Sequence, residues 1–271
     1  MSLRSPYLGV VGAAALWSTL GVAASIGGNY IWLAFLRSLT AAAIGALYMR
    51  RFSSRGLIPG LLLGGLFVAY PVAALYAGVG PAAYLLYTAP LWTTAALAAR
   101  GERPSAKETV GVSLVLAAVF LMLYASARGE LSPIGLLAGL ASSAFYGLYI
   151  AVARLRAKEG GGADVSYGAM PYTLLVTAPL LLIHVAVNKS PLPLHTALAG
   201  LYMGVFGTVI PYRLFSSAVT KIEGARASVI ASVEPVLAAL WGFLFFKEIP
   251  GLLTLTAYAL ISTAAVVVAR K

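Results

Sequence analysis

Gly60-Leu61-Leu62-Leu63-Gly64-Gly65-Leu66-Phe67-Val68-Ala69-Tyr70-Pro71 and Gly200-Leu201-Tyr202-Met203-Gly204-Val205-Phe206-Gly207-Thr208-Val209-Ile210-Pro211 share a G-x3-G-x6-P skeleton, 140 positions apart. Farther along, Pro90 is matched by Pro235 at an offset of 145, which implies about five extra residues around Thr220 to Gly224. Each of these later prolines is followed by Glu-x-Pro, Glu102-Arg103-Pro104 in one case and Glu248-Ile249-Pro250 in the other. Glycine and proline are common in membrane helices, but chance would not keep them in one order. The chain reads as two related units, 1–127 and 130–271.

Composition fixes the solvent in which those units fold. Of 271 residues, 61% are apolar and only 10% are charged, with a mean hydropathy of +0.91; an average soluble domain carries roughly 25% charged residues. A soluble globular protein is excluded. A bilayer span needs about 20 mostly apolar residues, and suitable runs fall at 6–25, 30–49, 57–78, 81–99, 108–124, 133–153, 168–187, 196–219, 225–246 and 250–269. Ten spans leave only short connections and no room for a separate enzyme domain. With no cysteine and two histidines, His184 and His195, neither a thiolate nucleophile nor a metal site is expected.

The net charge of +11 is a topology record and does not point to a nucleic-acid partner. With the N-terminus in the cytoplasm, one face collects Arg4, Arg50, Arg51, Arg55, Arg100, Arg103, Lys107, Arg154, Arg156, Lys158, Lys221, Arg226, Arg270 and Lys271. The other receives Arg128, Lys189 and Lys247. Fourteen against three holds only for an even count of ten spans with both termini cytoplasmic. A cleaved leader ending near Ala23-Ala24-Ser25 is the lesser reading of the first span, because its loss would break the repeat. Five spans per unit is an odd number, so the second unit enters the bilayer upside down relative to the first. Inverted repeats of this kind carry solute sites near mid-membrane in secondary transporters.

The second unit carries Gly204-Val205-Phe206-Gly207-Thr208, Pro211-Tyr212-Arg213-Leu214-Phe215, Glu223-Gly224-Ala225-Arg226-Ala227, Val233-Glu234-Pro235 through Trp241-Gly242, and Lys247-Glu248. It resembles the second EamA repeat of the drug/metabolite transporter superfamily. The first unit is similar but weaker, through Leu16-Trp17-Ser18, Arg37, Thr88-Ala89-Pro90-Leu91 and Glu102. The resemblance implies an all-α integral membrane protein with ten transmembrane helices in two inverted five-helix repeats, a central cavity, alternating access and, by analogy, export. It departs from the family pattern at Arg213, where the helix is usually apolar or aromatic.

Charges at mid-membrane cost about 2.5–3.5 kcal/mol each on insertion scales and are functional candidates by default. Arg37, Arg213 and Glu234 meet that description, and at 1.5 Å per residue Glu234 lies roughly 6 Å in depth from Arg213. Either these groups hold a charged or zwitterionic substrate, with Glu234 also carrying a proton, or Glu234 pairs with one arginine as a helix contact. Trp17, Tyr70, Tyr87, Tyr146 and Tyr212 are candidates for lining the cavity, with packing as the alternative. Pro71, Pro90, Pro211 and Pro235 remove backbone hydrogen bonds and read as hinges beside the cavity, or as packing kinks. Gly60, Gly64, Gly200 and Gly204 read as close-packing positions.

These features predict a multi-pass protein of the cell membrane that moves a small metabolite, an amino acid or related zwitterion or anion, with no cofactor. A passive channel is the rival reading. An intramembrane enzyme is disfavoured, since neither HExxH nor a facing Ser–His pair occurs, and no Walker motif supplies ATP chemistry. A two-unit chain contains both halves of the pseudosymmetric unit, so a monomer suffices.

Overall fold

Hydrocarbon offers no partner for a backbone amide, so an apolar chain of this length must bond to itself, and helices do so within one segment. The computed structural model describes residues 6–48, 54–158, 165–219, 221–222, 227 and 230–269, and among them every apolar run is helical. Ten rods result. They are α1 (Pro6–Ser18 and Leu20–Gly27), α2 (Tyr30–Tyr48), α3 (Leu57–Ala77), α4 (Val79–Leu86 and Ala89–Ala98), α5 (Ala106–Ala127), α6 (Pro133–Lys158), α7 (Val165–Ala169, a 3-10 turn Met170–Thr173, and Leu174–Asn188), α8 (Leu194–Gly204, a π turn Val205–Val209, and Ile210–Val219), α9 (Val233–Phe246) and α10 (Leu252–Ala269). Arg4, Arg50, Arg51, Arg226, Arg270 and Lys271 lie outside the described residues, as do Glu223 to Arg226 of the family motif.

The packing repeats with the sequence. α3 lies against α6 and α8 against α1, α4 against α6 and α9 against α1, and α2 against α8 and α7 against α3, while α5 meets α10 and α4 meets α9. Adding five to every rod number, counting round from ten to one, exchanges the first six of these pairs two by two and returns α5–α10 and α4–α9 to themselves. The two halves therefore clasp reciprocally.

The glycine pairs make that clasp close. A Cβ at Gly60 would lie 2.3 Å from that of Tyr172 on α7, and one at Gly204 would lie 2.5 Å from that of Thr40 on α2. Both approaches are closer than any methyl tolerates, so these helices meet backbone to side chain, as small-xxx-small packing requires.

Eight rods are long and apolar enough to cross a membrane whole; the described part of α9 is shorter, and α4 is broken. An uninterrupted α4 over 81–99 is not what forms. A proline ring clashes with the carbonyl four residues earlier, and the interruption at Tyr87-Thr88 follows Leu86, four before Pro90. In α9 the turn at Ser232 follows Ala231, four before Pro235. The broken segments thus occupy corresponding places in the two halves and pack on each other.

Gly204→Val should lower stability by about 1–3 kcal/mol through overpacking, read as a lower melting temperature of the detergent-solubilised protein. Gly12→Ala, whose new methyl would meet only Leu214 Cδ1 at 3.5 Å, should melt close to wild type.

Candidate functional site

Each proline lacks the N–H that would bond the carbonyl four residues before it, and inside a membrane that carbonyl needs another donor. For Pro211 the freed group is Gly207 O. Arg37, which is only 3% exposed on α2, donates to it through Nη2 at 3.4 Å. Its Nε donates to Thr208 Oγ1 at 2.9 Å, and its guanidinium lies 3.9 Å over the Phe67 ring. For Pro235 the freed group is Ala231 O, and the Tyr87 hydroxyl of α4 donates to it at 2.6 Å. Both repairs run from the first half of the chain to the second.

Tyr87 also reaches Glu234. Its oxygen is 3.0 Å from Glu234 Oε2, in the first turn of α9, where the carboxyl is buried. A phenol has one proton, and the shorter contact takes it to Ala231 O. Glu234 Oε2 is the second acceptor within reach of that one hydroxyl. Among the described residues no ion pair forms at Glu234 or Arg37 within 4.0 Å; the pair found is Arg154–Glu102 at 3.2 Å.

The aromatic candidates divide between neighbouring groups. Trp17 and Tyr70 belong to the largest buried cluster, with Tyr146 and Tyr212 packed against it. Trp17 meets Tyr212 edge to face at 5.6 Å, and Tyr146 stacks beside Tyr149 at 6.2 Å. The Tyr70 hydroxyl is buried with no partner. Tyr87 packs at the border of the cluster formed by α4, α5 and α10. Arg213, one residue from Tyr212, is exposed, because a helix turns about 100° per residue and carries it to the other side of α8. Pro71, Pro211 and Pro235 are buried, whereas Pro90 is exposed.

Residues that the sequence offered as parts of motifs, and not as site candidates, complete the frame. Thr208 Oγ1 receives Arg37 and donates onward to Met203 O at 2.9 Å. The Glu248 carboxylate accepts from Val79 N at 2.8 Å and Gly80 N at 3.2 Å, capping the start of α4, where an anion is favoured. Trp241 Nε1 donates to Ser18 Oγ at 3.0 Å, tying α9 to α1. Counting back four residues from each proline would have located the carbonyls, but no sequence rule names their donors.

Comparison with known proteins bears on the family and the fold. The sequence pattern of the EamA-like transporter family matches residues 133–270. An uncharacterized transporter of Archaeoglobus fulgidus is 26% identical over 251 residues, covering 91% of this chain and 89% of its own. The threonine/homoserine exporters RhtA of Salmonella typhimurium and Escherichia coli are each 26% identical, over 97% of this chain and 81% of theirs. A solved crystal structure superposes with a TM-score of 0.63 at 24% identity, over 97% of this chain and 95% of its own. The fold is that of a multi-pass membrane transporter.

If Arg37 serves the carbonyl freed by Pro211, the two residues are coupled. Arg37→Met should cost about 1–3 kcal/mol. Pro211→Ala, which restores the N–H, should reduce that cost by roughly 0.5 kcal/mol or more in a double-mutant cycle of melting stability. Additive effects would contradict the assignment.

Proposed function

Because the chain belongs to the EamA-like transporter family, we propose that it is a secondary transporter that exports a small amino-acid-like metabolite in exchange for protons. The observation that carries the reading is the meeting of the two interrupted segments, α4 and α9, at Tyr87 and Glu234. Short, proline-broken helices in corresponding positions of two halves are where transporters of this plan hold solute. Glu234 takes the solute's ammonium, while the unpartnered Tyr70 hydroxyl, Tyr146, Tyr212 and Trp17 form the wall around its body. The relatives named as threonine/homoserine exporters favour a zwitterion of that size.

Coupling follows from competition for one carboxyl. A proton on Glu234 completes the contact with Tyr87; an arriving ammonium displaces it, since a buried carboxylate tolerates one counter-charge and not two. Proton and solute thus cross in opposite directions. Arg37 braces α8 and carries no solute, and Arg213 lies outside the buried group. The five-helix units 1–127 and 130–271 rock about Pro71, Pro90, Pro211 and Pro235. The protein lies in the plasma membrane with cytoplasmic termini, acts without cofactor, and one copy is sufficient.

In proteoliposomes, threonine or homoserine should show saturable counterflow, and a proton gradient of one pH unit should drive up to about tenfold accumulation for one proton exchanged. Glu234→Gln should abolish the driven accumulation, and Glu234→Asp should retain part of it. Unchanged accumulation in Glu234→Gln at every pH would refute proton coupling through this residue.

A further inference from the structure

At the end of the bundle formed by the 128–132 and 247–251 turns, a cavity of about 180 Å³ opens between α4, α10 and those turns. One water needs roughly 10–15 Å³ by this measure, so the space exceeds a solvent gap. Glu130 and Glu248 both line it, with Thr254 and Tyr258 of α10, and Pro81 and Leu131 among the apolar walls. Thr254 is 1% exposed and Tyr258 6%, yet neither hydroxyl has a hydrogen-bond partner. The Tyr258 ring is stacked on Tyr84 at 3.7 Å, which holds its hydroxyl in place. Buried hydroxyls left without partners are rare and costly.

The repeat supplies a control. At the opposite end, a crevice lined by Glu102, Arg103, Pro104 and Glu108 stands where Glu248, Ile249, Pro250 and Thr254 stand here. There the carboxylates are satisfied from within: Glu102 pairs with Arg154 at 3.2 Å, and Glu108 accepts from Ser105 N at 2.8 Å. In the larger crevice, neither Glu130 nor Glu248 is ion-paired among the described residues. The nearby Arg128 lies over the Tyr124 ring instead, and Lys247 is exposed. Glu248 is held instead by the Val79 and Gly80 amides; what differs between the halves is that Glu102 meets a cation and, among the described residues, Glu130 and Glu248 do not.

We propose that this crevice binds a small organic ammonium, its charged head against Glu130 and Glu248, its hydrogens on the Thr254 and Tyr258 oxygens, and its carbon body along Pro81 and Leu131. The apolar walls would leave a metal ion with an incomplete oxygen shell, and among the described residues no group of three or more His, Asp or Glu gathers here. The ammonium belongs either to a solute leaving the transport path or to a separate ligand of that face. Binding itself does not rest on the transport reading.

The test is equilibrium dialysis of radiolabelled n-propylammonium against the protein in lipid nanodiscs. Wild type should bind saturably. Glu130→Gln and Tyr258→Phe should each weaken binding roughly tenfold, as for loss of one charge-assisted or buried hydrogen bond, with melting temperatures near wild type showing that both variants fold. Saturable binding should persist in Glu234→Gln, in which the ammonium site proposed for the transported solute is removed. No saturable binding, wild-type binding by Glu130→Gln and Tyr258→Phe, or loss in Glu234→Gln alone would each overturn the proposal. Counterflow of threonine separates the two sources: slower flux in Glu130→Gln puts the crevice on the solute's path, and unchanged flux makes it a site for a separate ligand.

Discussion

A proline inside hydrocarbon leaves a backbone carbonyl that water cannot reach, and the rest of this structure is arranged around finding donors for two such groups. Gly207 O receives Arg37 and Ala231 O receives Tyr87. In each case the broken helix belongs to the second half of the chain and the donor to the first. The bonds that repair the kinks are therefore also bonds between the halves. Any motion of one half against the other would have to stretch or exchange them.

That use of donors has a consequence for the charges. Arg37 is committed to Gly207, Thr208 and the face of Phe67, which accounts for a guanidinium at 3% exposure without a carboxylate partner. Tyr87 has one proton and two acceptors, Ala231 O and Glu234 Oε2, which is the ground on which we propose that Glu234 carries its own hydrogen or a ligand's. The repeat shows how local this is. Ala89 stands where Glu234 stands in the other half, and Thr173 stands where Arg37 does, since Gly60 meets Tyr172 as Gly200 meets Leu36; all four are buried. The frame is duplicated, and the reactive groups occur once each.

Much of the frame was legible without coordinates. The Gly60/Gly64 and Gly200/Gly204 pairs and the offset prolines located two like units, because close helix contact and a missing N–H are properties of residue type alone. The fracture of α4 at Tyr87-Thr88 and the π turn at Val205–Val209 were not, since a proline is accommodated by kink, turn or break according to its neighbours. Arg213 illustrates the other limit. Its depth was readable from the chain, but which way it faced depended on the rotation of α8, and one residue separates the inward Tyr212 from the exposed Arg213. The donors to Gly207 and Ala231 come from far along the chain and needed the fold itself.

The proton on Glu234 is the central claim, and a difference infrared spectrum between solute-free and solute-bound protein tests it most directly. A protonated-carboxyl stretch should be present in the resting protein, should disappear when threonine or homoserine is added, and should be missing from Glu234→Gln. A resting protein without that band, or a band that persists in Glu234→Gln, would contradict the account.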